Sequence, residues 1–168
     1  MLSPAQIIEV IKQHLNIPLL AALPDDPHPR VHVEPTHWRR LAELLRFDTQ
    51  LQFDWLANLA GIDYVADGKL AVLYDLWSFG LQHRFAVKVY CPREAPAVPS
   101  VADLWPAANW HEREAFDLFG IHFAGHPNLR RILLADDWEG HPLRKDYLFP
   151  KQYHGIPGTV DPPWQPKQ

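Results

Sequence analysis

The chain has 168 residues, 47% of them hydrophobic and 21% charged, enough for one domain with a real core and an extension at one end. A net charge of −4 argues against a broad basic face for nucleic acid, and a single cysteine excludes an internal disulfide and any cysteine-built zinc or iron–sulfur site. Seven tryptophans are a heavy aromatic load for a core of this size and point to partner surfaces.

At the N-terminus, MLSPAQIIEVIKQHL lacks the basic region and small-residue cleavage site of a signal peptide. No apolar run reaches the roughly 18 residues that a membrane span needs. The expectation is a soluble, intracellular chain that meets a membrane only through partners. Ser3, Pro4 and Gln6 have the form of an N-cap, a first-turn proline and a capping box. Ile7, Ile8, Ile11 and Leu15 then recur at helical spacing, which predicts an amphipathic helix over 4–15.

The proline-punctuated PLLAALPDDPHPR has room for a short strand, and RVHVE alternates like one. A second helix is predicted from Pro35, with Trp38, Leu41 and Leu45 on one stripe. Residues 52–66 are ambiguous: FDWLANLAG reads as a helical turn ahead of a strand around IDYV. Asp67-Gly68 is a tight-turn signal between strands. KLAVLYDLWSF and HRFAVKVYC follow as strands joined by a loop containing Gly80, with Phe85, Val87, Val89 and Cys91 on one face of the second. The pattern predicts an α+β fold, with helices forming one layer on a mixed, largely antiparallel sheet.

Beyond residue 90 the chain changes character, holding eleven of its seventeen prolines. The division expected is an α+β domain over 1–120 and an irregular C-terminal arm and tail over 121–168. Within it, GHPNLRR and GHPLRKD echo one another as Gly-His-Pro turns followed by basic residues.

The stretch 111–147 concentrates four histidines, four arginines and seven acidic residues among aromatic and aliphatic ones. His111-Glu112 opens like a zinc-protease motif, but Ala115 stands where the second ligand is needed. His122, His126 and His141 could converge on a metal, although such loop histidines more commonly cap turns or bond the backbone. No Gly-x-Ser-x-Gly elbow surrounds Ser78 or Ser100, no glycine-rich phosphate loop occurs, and Cys91 sits at a strand end as a packing residue. Asp136-Asp137 reads as a turn or helix start rather than an acid–base pair.

A third helix is predicted near 107–119. At 100° per residue, Glu112, Ala115, Phe116 and Phe119 share one stripe, and Trp110, Arg113, Glu114 and Asp117 fall opposite. Glu112 therefore occupies an apolar slot. Either it is buried and paired with Arg130, Arg131 or Arg144, or it sits at the stripe's edge and reaches water. Arg113 and Asp117, at i,i+4, are placed to pair on the helix surface, and beside Trp110 these charges form a partner-facing patch with an aromatic anchor.

EREAFDLFGIHFAGHPNLRRIL at 112–133 closely resembles the signature of the 30-kDa subunit family of respiratory complex I, the C-type subunit of the bacterial NADH:quinone oxidoreductase. Its signature positions fall on Glu112, Arg113, Glu114, Asp117, Leu118, Phe119, His126, Arg130 and Ile132. DDWEGHPLRKDY at 136–147 resembles the next block of that family, bringing in Trp138, His141, Arg144, Lys145 and Asp146. Weaker likeness in LANLAGIDY and in the stretch from FAVKVYC to WHERE extends the resemblance over about 35–147.

The resemblance implies a non-catalytic structural subunit in the peripheral arm of a proton-translocating NADH:quinone oxidoreductase. It implies a place beside the 49-kDa (D-type) chain that helps form the quinone site. FMN and the iron–sulfur clusters would then belong to partner subunits, with none bound by this chain. The position implied is peripheral, at the cytoplasmic face of the bacterial inner membrane or on the matrix side in mitochondria. At this length, no fusion to the quinone-site chain is expected. Trp110, Glu112, Arg113, Glu114, Asp117, His126, Arg130, Arg131, Trp138, His141, Arg144, Lys145 and Asp146 become the candidate interface or structural positions. Three alternatives stand beside this reading: a stand-alone metal-dependent hydrolase built on His122, His126 and His141, the equivalent subunit of a ferredoxin-using or hydrogenase-type complex, and an adaptor unrelated to respiration.

Overall fold

Ser3 opens the first helix as its sequence predicts, with its hydroxyl accepting from the Gln6 amide at 3.3 Å and the Gln6 side chain accepting from the Ser3 amide at 2.8 Å. This α1 spans Pro4–His14 and buries Ile7, Ile8, Val10 and Ile11. The computed structural model describes residues 1–158. Helix α2, Pro35–Phe47, starts on a first-turn proline and buries Trp38, Leu41, Ala42 and Leu45, the predicted stripe widened by one alanine.

Both helices lie against a five-stranded sheet of order β1-β2-β5-β4-β3. Its strands are β1 Ala21–Leu23, β2 Arg30–Val33, β3 Trp55–Tyr64, β4 Lys69–Ser78 and β5 His83–Pro92. β2 runs parallel to β5 and every other pair is antiparallel, so the sheet is mixed, as the α+β expectation has it. Alternation sends Val31, Val33, Leu70, Val72, Tyr74, Leu76, Phe85, Val87, Val89 and Cys91 into the core. Each fully buried large side chain among them contributes about 1.5–3 kcal/mol. Cys91 is a packing residue: its thiol lies 3.7 Å from the Leu70 carbonyl, and burial pushes it up to about 11.

The helical turn expected ahead of IDYV is absent. β3 is continuous from Trp55 because β4 offers a ladder partner along its whole length, interrupted only by a bulge between Leu56 and Asn58. Tertiary pairing overrides the local ambiguity. A 3-10 turn, Val65–Asp67, and left-handed Gly68 (φ 61°) close the β3–β4 hairpin.

β6, Ala97–Pro99, pairs in parallel with β7, His122–Ala124, and helix α3, Ala108–Phe119, forms the connection between them. α3 crosses β3 where Gly61 removes a side chain: a Cβ there would stand 2.5 Å from the Phe119 ring. Past β7 the chain is mostly irregular, ending in a small hairpin of β8, Gln152–Tyr153, and β9, Ile156–Pro157, turned through His154 and Gly155 at positive φ. The last part of the expected tail, 159–168, lies outside the described residues. Among the described residues, no helix is long and apolar enough to cross a membrane.

Candidate functional site

The ionisable stretch is organised by two buried carboxylates of α3, Glu112 and Asp117, which lie on different faces of the helix. Asp117 has no solvent exposure. Its Oδ1 accepts from Arg131 Nη1 at 2.9 Å, and its Oδ2 accepts from the backbone amides of Ile132, Leu133 and Leu134 at 3.0, 2.8 and 3.0 Å. Burial pushes the Asp117 carboxyl up, but three amides and a guanidinium outweigh that and hold it below the ordinary carboxylate value. The chain at 131–134 is thereby curled around a helix side chain.

Further donors tie the same segment to the helix end. Arg113 Nε donates to the Arg130 carbonyl at 3.2 Å. His141 Nδ1 lies 2.9 Å from the Asp117 carbonyl, and Arg144 Nε donates to the Phe119 carbonyl at 2.8 Å. Both carbonyls are in the last turn of α3, where the helix leaves acceptors unsatisfied and favours cations. Gly120, at φ 73°, caps the helix in the left-handed conformation, and the His141 ring fills the space a Cβ would need.

Glu112 is also fully buried. Its Oε2 accepts from Ser100 Oγ at 2.6 Å and its Oε1 from the Val101 amide at 2.8 Å, so the helix grips the loop after β6. Among the described residues, no arginine makes a hydrogen bond or ion pair with it. The anticipated Arg130, Arg131 or Arg144 pair is corrected by this geometry, because those residues serve the other end of α3. Burial pushes Glu112 up to about 7, against the opposing pull of Ser100 and Val101. His126 Nε2 is 4.0 Å away, its ring as buried as the carboxylate. That ring accepts from the Asn128 amide at Nδ1 (3.0 Å), which leaves Nε2 to donate to the Asn109 carbonyl at 3.1 Å. His126 is thus a turn-bracing group at the first Gly-His-Pro, as His141 is at the second. Gly125 and Gly140 both adopt positive φ.

A second clasp joins the predicted Lys145 and Asp146 to two residues outside the prediction, Asp63 and Arg93. Asp63, inward on β3 with its side chain 1% exposed, takes Arg93 bidentately at 2.9 and 3.1 Å and the Lys145 amide at 2.9 Å. Arg93 also pairs with Asp146. The Arg93 guanidinium holds the Asp63 carboxyl below its ordinary value against the opposing effect of burial, and the Lys145 amide adds to it. A carboxylate at the inward register of IDYV was the available signal for Asp63. Arg93 and Ser100 carried none, since nothing local shows what they face.

The expected surface pair of Arg113 and Asp117 is not formed. Both are buried, because the chain after α3 covers the helix face that a lone amphipathic pattern leaves to water. Arg113 lies under the Trp110 ring at 5.0 Å, and Trp110 itself is 64% exposed. Glu114 and Arg130 are exposed, and Trp138 is half-buried, packed on Tyr153 at 5.1 Å between ring centroids. His122 stands exposed on β7, apart from the other two histidines' contacts. Among the described residues, no three His, Cys, Asp or Glu side chains are arranged to hold a metal ion.

The chain as a whole is similar to known proteins. The model of the family described as "Respiratory-chain NADH dehydrogenase, 30 Kd subunit" matches residues 31–153. The C-type subunit of NADH-quinone oxidoreductase from Chloroherpeton thalassium is 51% identical over 120 residues, covering 71% of this chain and 50% of its own length. That of Chlorobium phaeobacteroides is 50% identical over 125 residues, covering 74% and 75%. The chain thus spans only half the length of the first of these relatives. Among solved structures, a trypsin-resistant fragment of Nqo5 superposes with a TM-score of 0.60 at 32% identity, covering 76% of this chain and all of the fragment. A chain of the membrane-bound sulfane sulfur reductase, an archaeal respiratory membrane complex, shares the fold with a TM-score of 0.72 at 22% identity, over 85% of this chain and 84% of its own.

Proposed function

The chain belongs to the family of the 30 Kd subunit of respiratory-chain NADH dehydrogenase, and from that membership we propose that it is a non-catalytic structural subunit of a proton-translocating NADH:quinone oxidoreductase. It sits in the peripheral arm at the cytoplasmic face of the membrane and braces the 49-kDa (D-type) chain that helps form the quinone site. FMN and iron–sulfur clusters belong to its neighbours. Residues 1–120 form the body, and 121–168 the arm that lies along the partner.

One observation carries this reading: the buried ionisable groups of the stretch are committed to holding the chain on either side of α3 in place, Glu112 the loop before the helix and Asp117 the segment after it. Both oxygens of Glu112 and both of Asp117 are taken by donors of the chain itself, and Arg131, His126 and His141 are engaged with carbonyls, amides or carboxylates. Glu112 and Asp117, without solvent exposure, present no atom to a substrate. Among the side chains the segment turns outward are five large apolar ones, Leu133, Leu143, Leu148, Phe149 and Ile156, each more than half exposed. Apolar side chains projecting from a rigidly tied, irregular ribbon suit a surface that is covered in an assembly.

The test is purification of the tagged full chain from its host membranes in mild detergent, with identification of the co-purifying polypeptides. Quinone-site and iron–sulfur subunits in stoichiometric amount are expected. A chain that purifies alone and carries one bound metal, lost in His126→Ala, would replace this reading with the hydrolase.

A further inference from the structure

The turn around Trp138 and the β8–β9 hairpin face each other across an open cavity of about 610 Å³, lined by Asp137, Trp138, Glu139, Tyr147, Leu148 and Tyr153 among others. The Trp138 and Tyr153 rings stand 5.1 Å apart at 49°. The two oxygens of Asp137 are already occupied, by the Tyr153 hydroxyl and by His154 Nε2, each at 2.7 Å. The Glu139 carboxylate, in contrast, has no hydrogen-bond or ion-pair partner among the described residues, although its backbone carbonyl holds the Tyr147 hydroxyl at 2.9 Å. Trp138 Nε1 is buried and donates to nothing among the described residues.

We propose that this cavity receives an arginine side chain of a neighbouring polypeptide, its guanidinium against the aromatic rings and forked onto Glu139. The inference rests on the reading of the chain as a subunit and adds to it the chemistry of one contact. Aromatic faces and a spare carboxylate together select a cation. A planar guanidinium meets both demands at once, stacking on a ring while binding the carboxylate through two N–H groups, whereas an ammonium satisfies one direction at a time. Leu148, 88% exposed on the rim, and Phe149, 65% exposed beside it, extend the contact with apolar area.

The experiment uses the full chain in its host, with a photo-crosslinking benzoylphenylalanine at Leu148 and, separately, Glu139→Lys and Glu139→Gln. Because the Glu139 carboxylate holds nothing among the described residues, both variants are expected to keep the wild-type unfolding midpoint. The expected results are a cross-link to a neighbour's peptide that contains an arginine, and about a tenfold loss of co-purified neighbour in Glu139→Lys, with a smaller loss in Glu139→Gln. Exchanging that arginine for glutamate restores association with Glu139→Lys. The inference is overturned, with membership of the complex left standing, if the wild type co-purifies with its neighbours yet Leu148 forms no cross-link. A captured peptide without arginine, or wild-type association in Glu139→Lys, overturns it equally. A wild-type chain that co-purifies with nothing overturns both readings.

Discussion

Asp117 and Arg131 are fourteen residues apart and joined at 2.9 Å, the carboxylate without solvent exposure and the guanidinium side chain 19% exposed. Replacing Asp117 with asparagine removes the charge and puts an amide group where either Arg131 or the amides of 132–134 need an acceptor. Disrupting a buried pair in this way costs about 3 kcal/mol. Hydrogen exchange of the Ile132, Leu133 and Leu134 amides is expected to accelerate first. Unchanged protection there would show that the carboxylate does not hold the segment.

The two α3 carboxylates predict opposite responses to pH. Asp117 and Asp63 sit below their ordinary value of 3.8, so their contribution is present above that pH and is lost as acid carries the protein through their lower folded values. Glu112 is raised from 4.5 to about 7, so the folded protein binds its proton more tightly and stability falls as pH rises between those values. Glu112→Gln is expected to flatten denaturation midpoints across that window and to match or exceed the wild type above it. Glu112→Ala, which strands the Val101 amide and the Ser100 hydroxyl, costs about 2–4 kcal/mol.

At Gly61 the backbone of β3 lies directly against the Phe119 ring at the end of α3. Gly61→Ala drives a methyl into the Phe119 ring, at 2.5 Å in the unrelaxed geometry. The helix must shift or the ring must leave its rotamer, at about 1–3 kcal/mol. A lowered thermal midpoint with unchanged secondary structure is the expected result. A wild-type midpoint would mean that the ring is free to move aside.

Charge reversal at exposed Arg130 leaves the clasp intact, since its carbonyl and not its side chain meets Arg113. Arg130→Glu is expected to reduce the amount of assembled complex several-fold while turnover per assembled complex stays at the wild-type level. Normal assembly with slow turnover would tie this residue to the chemistry and weaken the scaffold reading.

Much of the fold was legible because it depends on local patterns. The capping box at Ser3, the stripe of α2 and the alternation of β5 each state their own structure. β3 was obscure because its identity depends on β4. The site divided along the same line. That Glu112 is buried follows from its place on the helical stripe, yet its partners lie on a loop that no periodicity connects to it. Asp117 and Arg113 misled for a related reason: a helical projection marks which face is polar, and a polar face covered by the chain's own backbone looks the same as one covered by water.

The bond from the Lys145 amide to Asp63 closes a separation of 82 residues. Closing so long a loop needs the sheet to be in place first, because Asp63 is positioned by the β3–β4 ladder and gripped by Arg93 from the end of β5. The latch at Lys145 therefore closes only after the sheet has formed. Until that latch closes, the apolar side chains of the ribbon, Leu133, Leu143, Leu148 and Phe149, have no fixed direction in which to face a neighbour.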